Sequence, residues 1–330
     1  MKHAEVHLVN LLPMLEPIQD ELGAVETRML AVVRETYEPL SSALRAILVS
    51  GGKRLRPALV ILAARLHRWD PEPVTNLAAA VELLHTATLI HDDTIDEALV
   101  RRGHRTLNAT WSRAATILAG DLMFARAAAL AAETGNIRVA SIFARTLATI
   151  CEGELRQMLS LFDWRGGHEG YYQRTHSKTA SLFASASEAG AILGQASEER
   201  IRALREYGQH LGMAFQIVDD ILDFVGDERY LGKPVGSDLR QGTATLPVYH
   251  YLQAGGDEGL VEAALDRGAR RGQAVAELVA AIASSPAIDT CQQEAHAFAR
   301  RAVDALAILD DGPYRQALCD LAGFVVARQT

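Results

Sequence analysis

Leu83-Leu84-His85-Thr86-Ala87-Thr88-Leu89-Ile90-His91-Asp92-Asp93-Thr94-Ile95-Asp96 is an apolar run that ends in carboxylates. At 3.6 residues per turn, Asp92 and Asp96 stack on one helical face, with Thr88, Ala87, Leu84, Val81 and Ala80 behind them on the same side. Like charges four residues apart repel unless a cation neutralises them. An acidic pair on a helix is ordinarily a solvated surface, but these flanks are too apolar for that reading to suffice. The pattern recurs at Asp219-Asp220-Ile221-Leu222-Asp223, which follows Ala214-Phe215-Gln216-Ile217-Val218. Two clusters of hard oxygen donors suit magnesium, which shares its coordination shell with phosphates.

The sequence around these motifs reads as helix throughout. Ten prolines are present, none of them between Val74 and Lys233, and this interval is rich in Ala and Leu. Proline breaks helix interiors and alanine favours them, so the interval predicts a succession of long helices. Apolar residues recur at helical spacing, as in Phe143, Leu147 and Ile150, and stops fall at Gly103, Gly135, Gly166-Gly167 and Gly226. No alternation marks a sheet. The expectation is an all-α fold, a single-domain bundle of long helices over 1–330, with 1–28 as a peripheral arm or helix.

Cations accompany both acidic motifs. Gly51-Gly52-Lys53-Arg54-Leu55-Arg56-Pro57 places three of them at a helix start, a suitable phosphate cradle although basic loops are commonly just solvated. Arg101-Arg102-Gly103 follows the first motif, and Lys178-Thr179-Ala180 and Gly232-Lys233-Pro234 supply further cations. Two diphosphates would account for both sets, one held through metal and the other by Lys and Arg directly.

Composition narrows the classes. The 330-residue chain is 49% hydrophobic and 22% charged, ordinary for a globular protein, and its formal charge of −8 argues against a general nucleic-acid binder. No stretch of about twenty apolar residues is expected to span a membrane, and peripheral contact is the most that is expected. The first residues lack a signal-peptide pattern. Cys151, Cys291 and Cys319 show no zinc spacing and are each expected as a small buried hydrophobe, with a reducing cytoplasm as the location.

Read in order, GGKRLRP (51–57), LLHTATLIHDDTIDEALVRRG (83–103), GDLMFARA (120–127), EGELRQ (152–157), KTA (178–180), FQIVDDILD (215–223) and GKPVGSDLRQGTATLP (232–247) closely resemble the trans-isoprenyl diphosphate synthases, the polyprenyl synthetase family. The resemblance runs from Gly51 to about Pro247 and weakly to Arg328. It implies a prenyltransferase that condenses isopentenyl diphosphate with an allylic prenyl diphosphate by ionisation, condensation and elimination. It implies that Asp92, Asp93, Asp96, Asp219, Asp220 and Asp223 serve a cluster of three magnesium ions, with Glu154 and Gln157 completing the shell or lining the cavity. Arg101, Lys178 and Lys233 would hold the allylic diphosphate; Gly52, Lys53, Arg56, His85 and Arg102 would hold that of isopentenyl diphosphate. Thr179 and Gln216 would lie near the reacting carbons, and Asp238 would anchor a closing loop. His85 also reads as a satisfied core histidine, and Asp121 reads as structural. A homodimer is implied as well. The family pattern breaks at Thr243, where many relatives carry lysine, and Arg240 is the available substitute.

Product length is read from helix faces. Ala87 and Thr88 are small where short-chain relatives carry aromatics, so the tail is expected to pass them and run on past Leu84. Phe143 lies ~21 Å below Gln157 at ~1.5 Å per residue. With roughly 4–5 Å per isoprene unit, Phe143 as a floor implies about thirty to forty carbons; core packing is its other reading. A shorter-chain synthase making geranylgeranyl or farnesyl diphosphate, and a catalytic or regulatory subunit of a heteromer, are the alternatives. A terpene cyclase would have no use for the second set of cations.

Overall fold

The computed structural model describes residues 13–50, 52–101, 103–226, 234–268 and 271–328. Along the chain run α1 (Gln19–Arg34), α2 (Leu40–Val49), α3 (Leu55–Arg65) and α4 (Pro71–Ile95), then a short antiparallel hairpin, β1 (Val100–Arg101) and β2 (His104–Arg105). Next come α5 (Arg113–Glu133), α6 (Ile137–Leu159), α7 (Gly167–Thr175), a π-helical turn at His176–Ala180, α8 (Ser181–Leu193) and α9 (Glu198–Val225). The chain continues through α10 (Ser237–Gln241), α11 (Leu246–Gln253), α12 (Glu258–Leu265), α13 (Arg271–Ala283), α14 (Ala287–Ala305) and α15 (Pro313–Ala327). The expected all-α class holds, and the small hairpin after the first acidic motif is an addition that two-residue strands were too short to announce.

The chain forms two compact units. The first comprises the described residues of Met1–Leu147 with Leu182–Gly208 and Ala305–Leu321. Its centre is α3 and α4. Leu59 through Ala64 are fully buried on α3, as are Ala78, Ala79, Ala80, Leu83, Leu84 and Ala87 on α4, so both helices are covered on nearly every side. Pro71 opens α4 at a position that needs no N–H donor. The N-terminal segment is helical from Gln19, and α1 packs against α4 through Val25 and Met29, with Arg28 bonded to Asn76 Oδ1 at 2.8 Å.

α5 packs along α4, its start capped by the Ser112 hydroxyl, which accepts the Ala115 N–H. Gly120 is required there. A Cβ on Gly120 would lie 2.3 Å from Nε2 of His91, the residue before Asp92. Among the described residues α5 is the one straight helix with the length and apolarity of a membrane span, contrary to the expectation of none; its inner side, including Ala119, Met123, Ala127 and Leu130, is buried within the unit.

The second unit comprises Ala148–Ser181, Gln209–Asp304 and the described residues of Ala322–Thr330. Ile217, Val218 and Ile221 of α9 share its core with Leu246, Val248, Val261, Leu278, Ile282 and Cys291. Cys291 is thus the small buried hydrophobe expected, whereas Cys151 is exposed on α6 because its helical position faces outward. On the polar edge of this core, Glu294 of α14 accepts from Tyr172 and from His250 Nε2. Burial raises the Glu294 pKa, but these hydrogen bonds outweigh it and leave the carboxyl below its usual range. The His168 ring meets His250 edge-on at 4.9 Å between centroids.

Burial, then the charge of His250, holds His168 below the ordinary value of 6.5. A histidine with a depressed folded-state pKa binds fewer protons than the unfolded chain, so its contribution to stability is intact above 6.5 and is lost as pH falls towards the lower value. The urea midpoint should therefore drop on acidification below 6.5, and His168→Gln should shrink that drop, as measured by circular dichroism at stepped pH.

Candidate active site

Each unit carries one group of the residues singled out by sequence. In the first, α4 ends with Asp92 half-buried, Asp93 buried and Asp96 exposed. Arg101, on β1, donates through Nε to Asp93 Oδ1 at 2.7 Å, so the hairpin folds back on the helix end and neutralises the innermost carboxylate. Burial still raises the Asp93 pKa; Arg101 opposes this, and Asp92 and Asp96 reinforce it. His91, beside Asp92, is fixed by Gly120 and by its Nε2, which donates to Ile117 O at 3.1 Å and lies 3.4 Å from Asp121.

The basic loop divides by role. Arg54 has a left-handed backbone (φ 47) and donates to Leu48 O at 2.6 Å and to Glu82 Oε1 at 2.9 Å. That ion pair ties the start of α3 to α4 one turn before His85. Lys53 and Arg56 flank the pinned Arg54, and Arg56 stacks over Phe183 of α8 at 4.7 Å. Gly52 and His85 are partly exposed. Arg102 lies outside the described residues. Further back, Ala87 and Leu84 are fully buried, Thr88 is half-buried and donates to His85 O, and Phe143 is buried at the start of α6.

In the second unit the π-helical turn His176–Ala180 carries Lys178 and Thr179. A π turn adds a residue to the turn and re-aims the side chains on it. Gly153 of α6 permits the turn to come close, since a Cβ there would sit 2.6 Å from Ser177 Cβ. The outcome is Lys178 Nζ 2.7 Å from Glu154 Oε1. Thr179 donates to Gln216 Oε1 at 2.7 Å, Gln216 Nε2 donates to Asp220 Oδ1 at 2.8 Å, and Tyr171 donates to Asp220 Oδ2 at 2.7 Å. Asp220 is 2% exposed, and burial, then the charge of Asp238, lifts its pKa to about 8 against the pull of these donors. Asp223 Oδ2 accepts the backbone N–H of Asp238 at 3.0 Å, which pins α10 to α9.

Asp219 is the half-buried acid of this motif, and Arg328 Nη2 reaches its Oδ1 at 2.9 Å. Arg328 is held in place by Phe215, over whose ring it lies at 4.2 Å. Among the described residues no three carboxylate, imidazole or thiol groups form a ready metal cage. Lys233 lies outside the described residues, and Arg240 lines a cavity with Phe162, Arg267 and Arg271.

Each acidic motif thus sets a buried acid beside a more accessible one. The polyprenyl synthetase family model matches residues 37–282. The chain belongs to the polyprenyl synthetase family. It is 40% identical over 315 residues to heptaprenyl diphosphate synthase component 2 of Geobacillus stearothermophilus, covering 94% of this chain and 97% of that one. It is 38% identical to octaprenyl diphosphate synthase of Haemophilus influenzae over 86% of each chain. The crystal structure of a polyprenyl synthase from Caulobacter crescentus CB15, complexed with calcium and isoprenyl diphosphate, is similar at TM-score 0.90 and 36% identity over 98% of each chain.

Tyr171 and Arg328 escaped the sequence reading because no periodicity links Tyr171 to an acid 49 positions away, or Arg328 to one 109 away. For Tyr171, replacement by Phe keeps the ring and strands one oxygen of Asp220. Tyr171→Phe should destabilise the protein by about 1–3 kcal/mol, read from urea unfolding; an unchanged midpoint would show that Asp220 does not depend on the hydroxyl.

Proposed function

We propose that this member of the family is a trans-polyprenyl diphosphate synthase acting as one synthase domain, extending an allylic diphosphate with isopentenyl diphosphate to a product of roughly thirty to forty carbons. The observation that carries the reading is the pairing of a buried acid with a more accessible one in both motifs. Asp92, Asp96 and Asp219 are the carboxylates that would hold magnesium. Asp93, Asp220 and Asp223 are the buried acids, and their hydrogen bonds would orient their neighbours. Bound magnesium would neutralise the diphosphate as it leaves.

The remaining roles fall to the chain's own groups. Lys178, placed by Glu154 and the π turn, adds fixed positive charge where the departing oxygens become negative. Arg101 and Lys233 share that task. Lys53, Arg56, Arg102 and His85, beside Gly52, hold the second diphosphate and bring its double bond to the allylic carbon. Thr179 and Gln216 present oxygens that face an electron-poor allylic centre. The freed diphosphate takes the proton, so no dedicated base is required. Small side chains at Ala87 and Thr88 leave the α4 face clear for the tail, and Phe143 closes it.

A homodimer is supported by apolar surface. Ile137, Ser141, Ala144, Ala148, Cys151 and Leu155 of α6 recur at alternating steps of four and three and are all exposed. Leu118 on α5 is 66% exposed. A catalytic subunit of a heteromer is the second reading, favoured by the name of the Geobacillus relative and by Thr243 in place of lysine. We place the protein in the cytoplasm.

Asp92→Asn with Asp219→Asn should lower magnesium-dependent incorporation of labelled isopentenyl diphosphate by roughly a hundredfold or more, while circular dichroism is unchanged. Retained turnover would refute the metal assignment; turnover only with an added partner would select the heteromer. Phe143→Ala should lengthen the product, and chromatographic sizing that finds the same distribution would remove Phe143 as the floor.

A further inference from the structure

Three arginines of the second unit, Arg240 among them, line a cavity of 710 Å³. It is lined by Phe162, Arg240, Arg267, Gly268, Arg271, Gly272 and Val275. Phe162 is seated first. Its backbone is left-handed (φ 71), its N–H donates to Gly242 O at 2.7 Å, and a Cβ on Gly242 would strike its ring at 2.7 Å. Two guanidiniums then stack on that ring, Arg267 at 4.4 Å and Arg271 at 4.7 Å. Stacking orders a long side chain through its flat face and leaves the N–H edge available for an oxyanion.

The three cations are not equivalent. Arg271 donates through Nη2 to Leu239 O at 2.9 Å and Arg240 O at 2.5 Å, so it braces the end of α10. Arg240 and Arg267 are exposed. Among the described residues none of the three forms an ion pair with a carboxylate, and Asp266 turns Oδ1 to the backbone N–H of Arg267 at 2.7 Å. Burial, then Arg267 and Arg240, lowers the Arg271 pKa, and no acid counters them. Three like charges around one void repel until an anion enters. Gly272 opens onto empty space, whereas beside Gly268 the Asp266 Oδ2 lies 2.9 Å from where a Cβ would stand. The volume falls in the range of small-ligand pockets, and Phe162 and Val275 give it an apolar wall.

We propose that this cavity binds a phosphate or diphosphate ester through Arg240, Arg267 and Arg271. Planar guanidiniums match phosphate oxygens in pairs, which lysine cannot do. Such a ligand would tie α10 to α13. The ester could be a free metabolite or a lipid headgroup, and the test separates them.

Full-length protein in EDTA would be titrated calorimetrically with inorganic pyrophosphate, and sedimented with vesicles of phosphatidylglycerol or of phosphatidylcholine. Wild type would be compared with Arg240→Ala/Arg267→Ala and Arg240→Lys/Arg267→Lys, folding being checked by circular dichroism; Arg271 is left intact because it braces α10. A pyrophosphate-binding component weakened about tenfold or more in the alanine pair, and also weakened in the lysine pair, supports a free ester. The same loss confined to phosphatidylglycerol vesicles supports a headgroup. Binding of both probes that is unchanged in the alanine pair, or a lysine pair that equals wild type, overturns the proposal.

Discussion

Negative charge gathered at the end of an apolar helix is the constraint from which the rest of this structure follows. Asp92, Asp93 and Asp96 stand within one turn of each other on a helix whose body is fully buried, so they cannot disperse. The chain answers by giving the innermost acid to a guanidinium on an adjoining hairpin and leaving the outer two towards solvent. The second motif is handled the same way with other means. Asp220 is enclosed by Tyr171 and Gln216, Asp223 is tied to a backbone N–H, and Asp219 keeps the accessible position beside Arg328. In each motif one part of the acid set is buried and bonded while another stays more accessible.

Glycines determine how close the supporting parts come. Gly120 lets α5 accept the imidazole of His91, and Gly153 lets α6 approach the turn that carries Lys178. Both lie in motifs that look catalytic from their acids, GDLMF and EGELRQ. In the first the acid lies beside His91 and the glycine makes room for that ring. In the second the glycine and Glu154 act together, one by admitting the turn and the other by holding the lysine.

The all-helical class was legible because its signal is periodic and long: the proline-free interval, the apolar rows and the glycine stops each mark the same elements. The acids and cations were legible from local spacing. Other features were not. Arg54 looked equal to Lys53 and Arg56 until the pairing with Glu82 gave it a fixed structural part. The π turn leaves no mark in composition, since it adds one residue to a helix that already reads as helical. The Arg240 cavity draws its residues from three separated segments, and only folding brings them to one wall.

α7 has a consequence of its own. Tyr171 and Tyr172 are consecutive, about 100° apart around the axis, and they grip carboxylates on two different helices, Asp220 of α9 and Glu294 of α14. The segment therefore works as a spacer whose rotational phase is set at both ends. Losing or gaining a single amino acid within it would swing both hydroxyls away together, whereas many exchanges of side chain on its outer surface would pass unnoticed. Through descent, this stretch should vary freely in spelling and hardly at all in length.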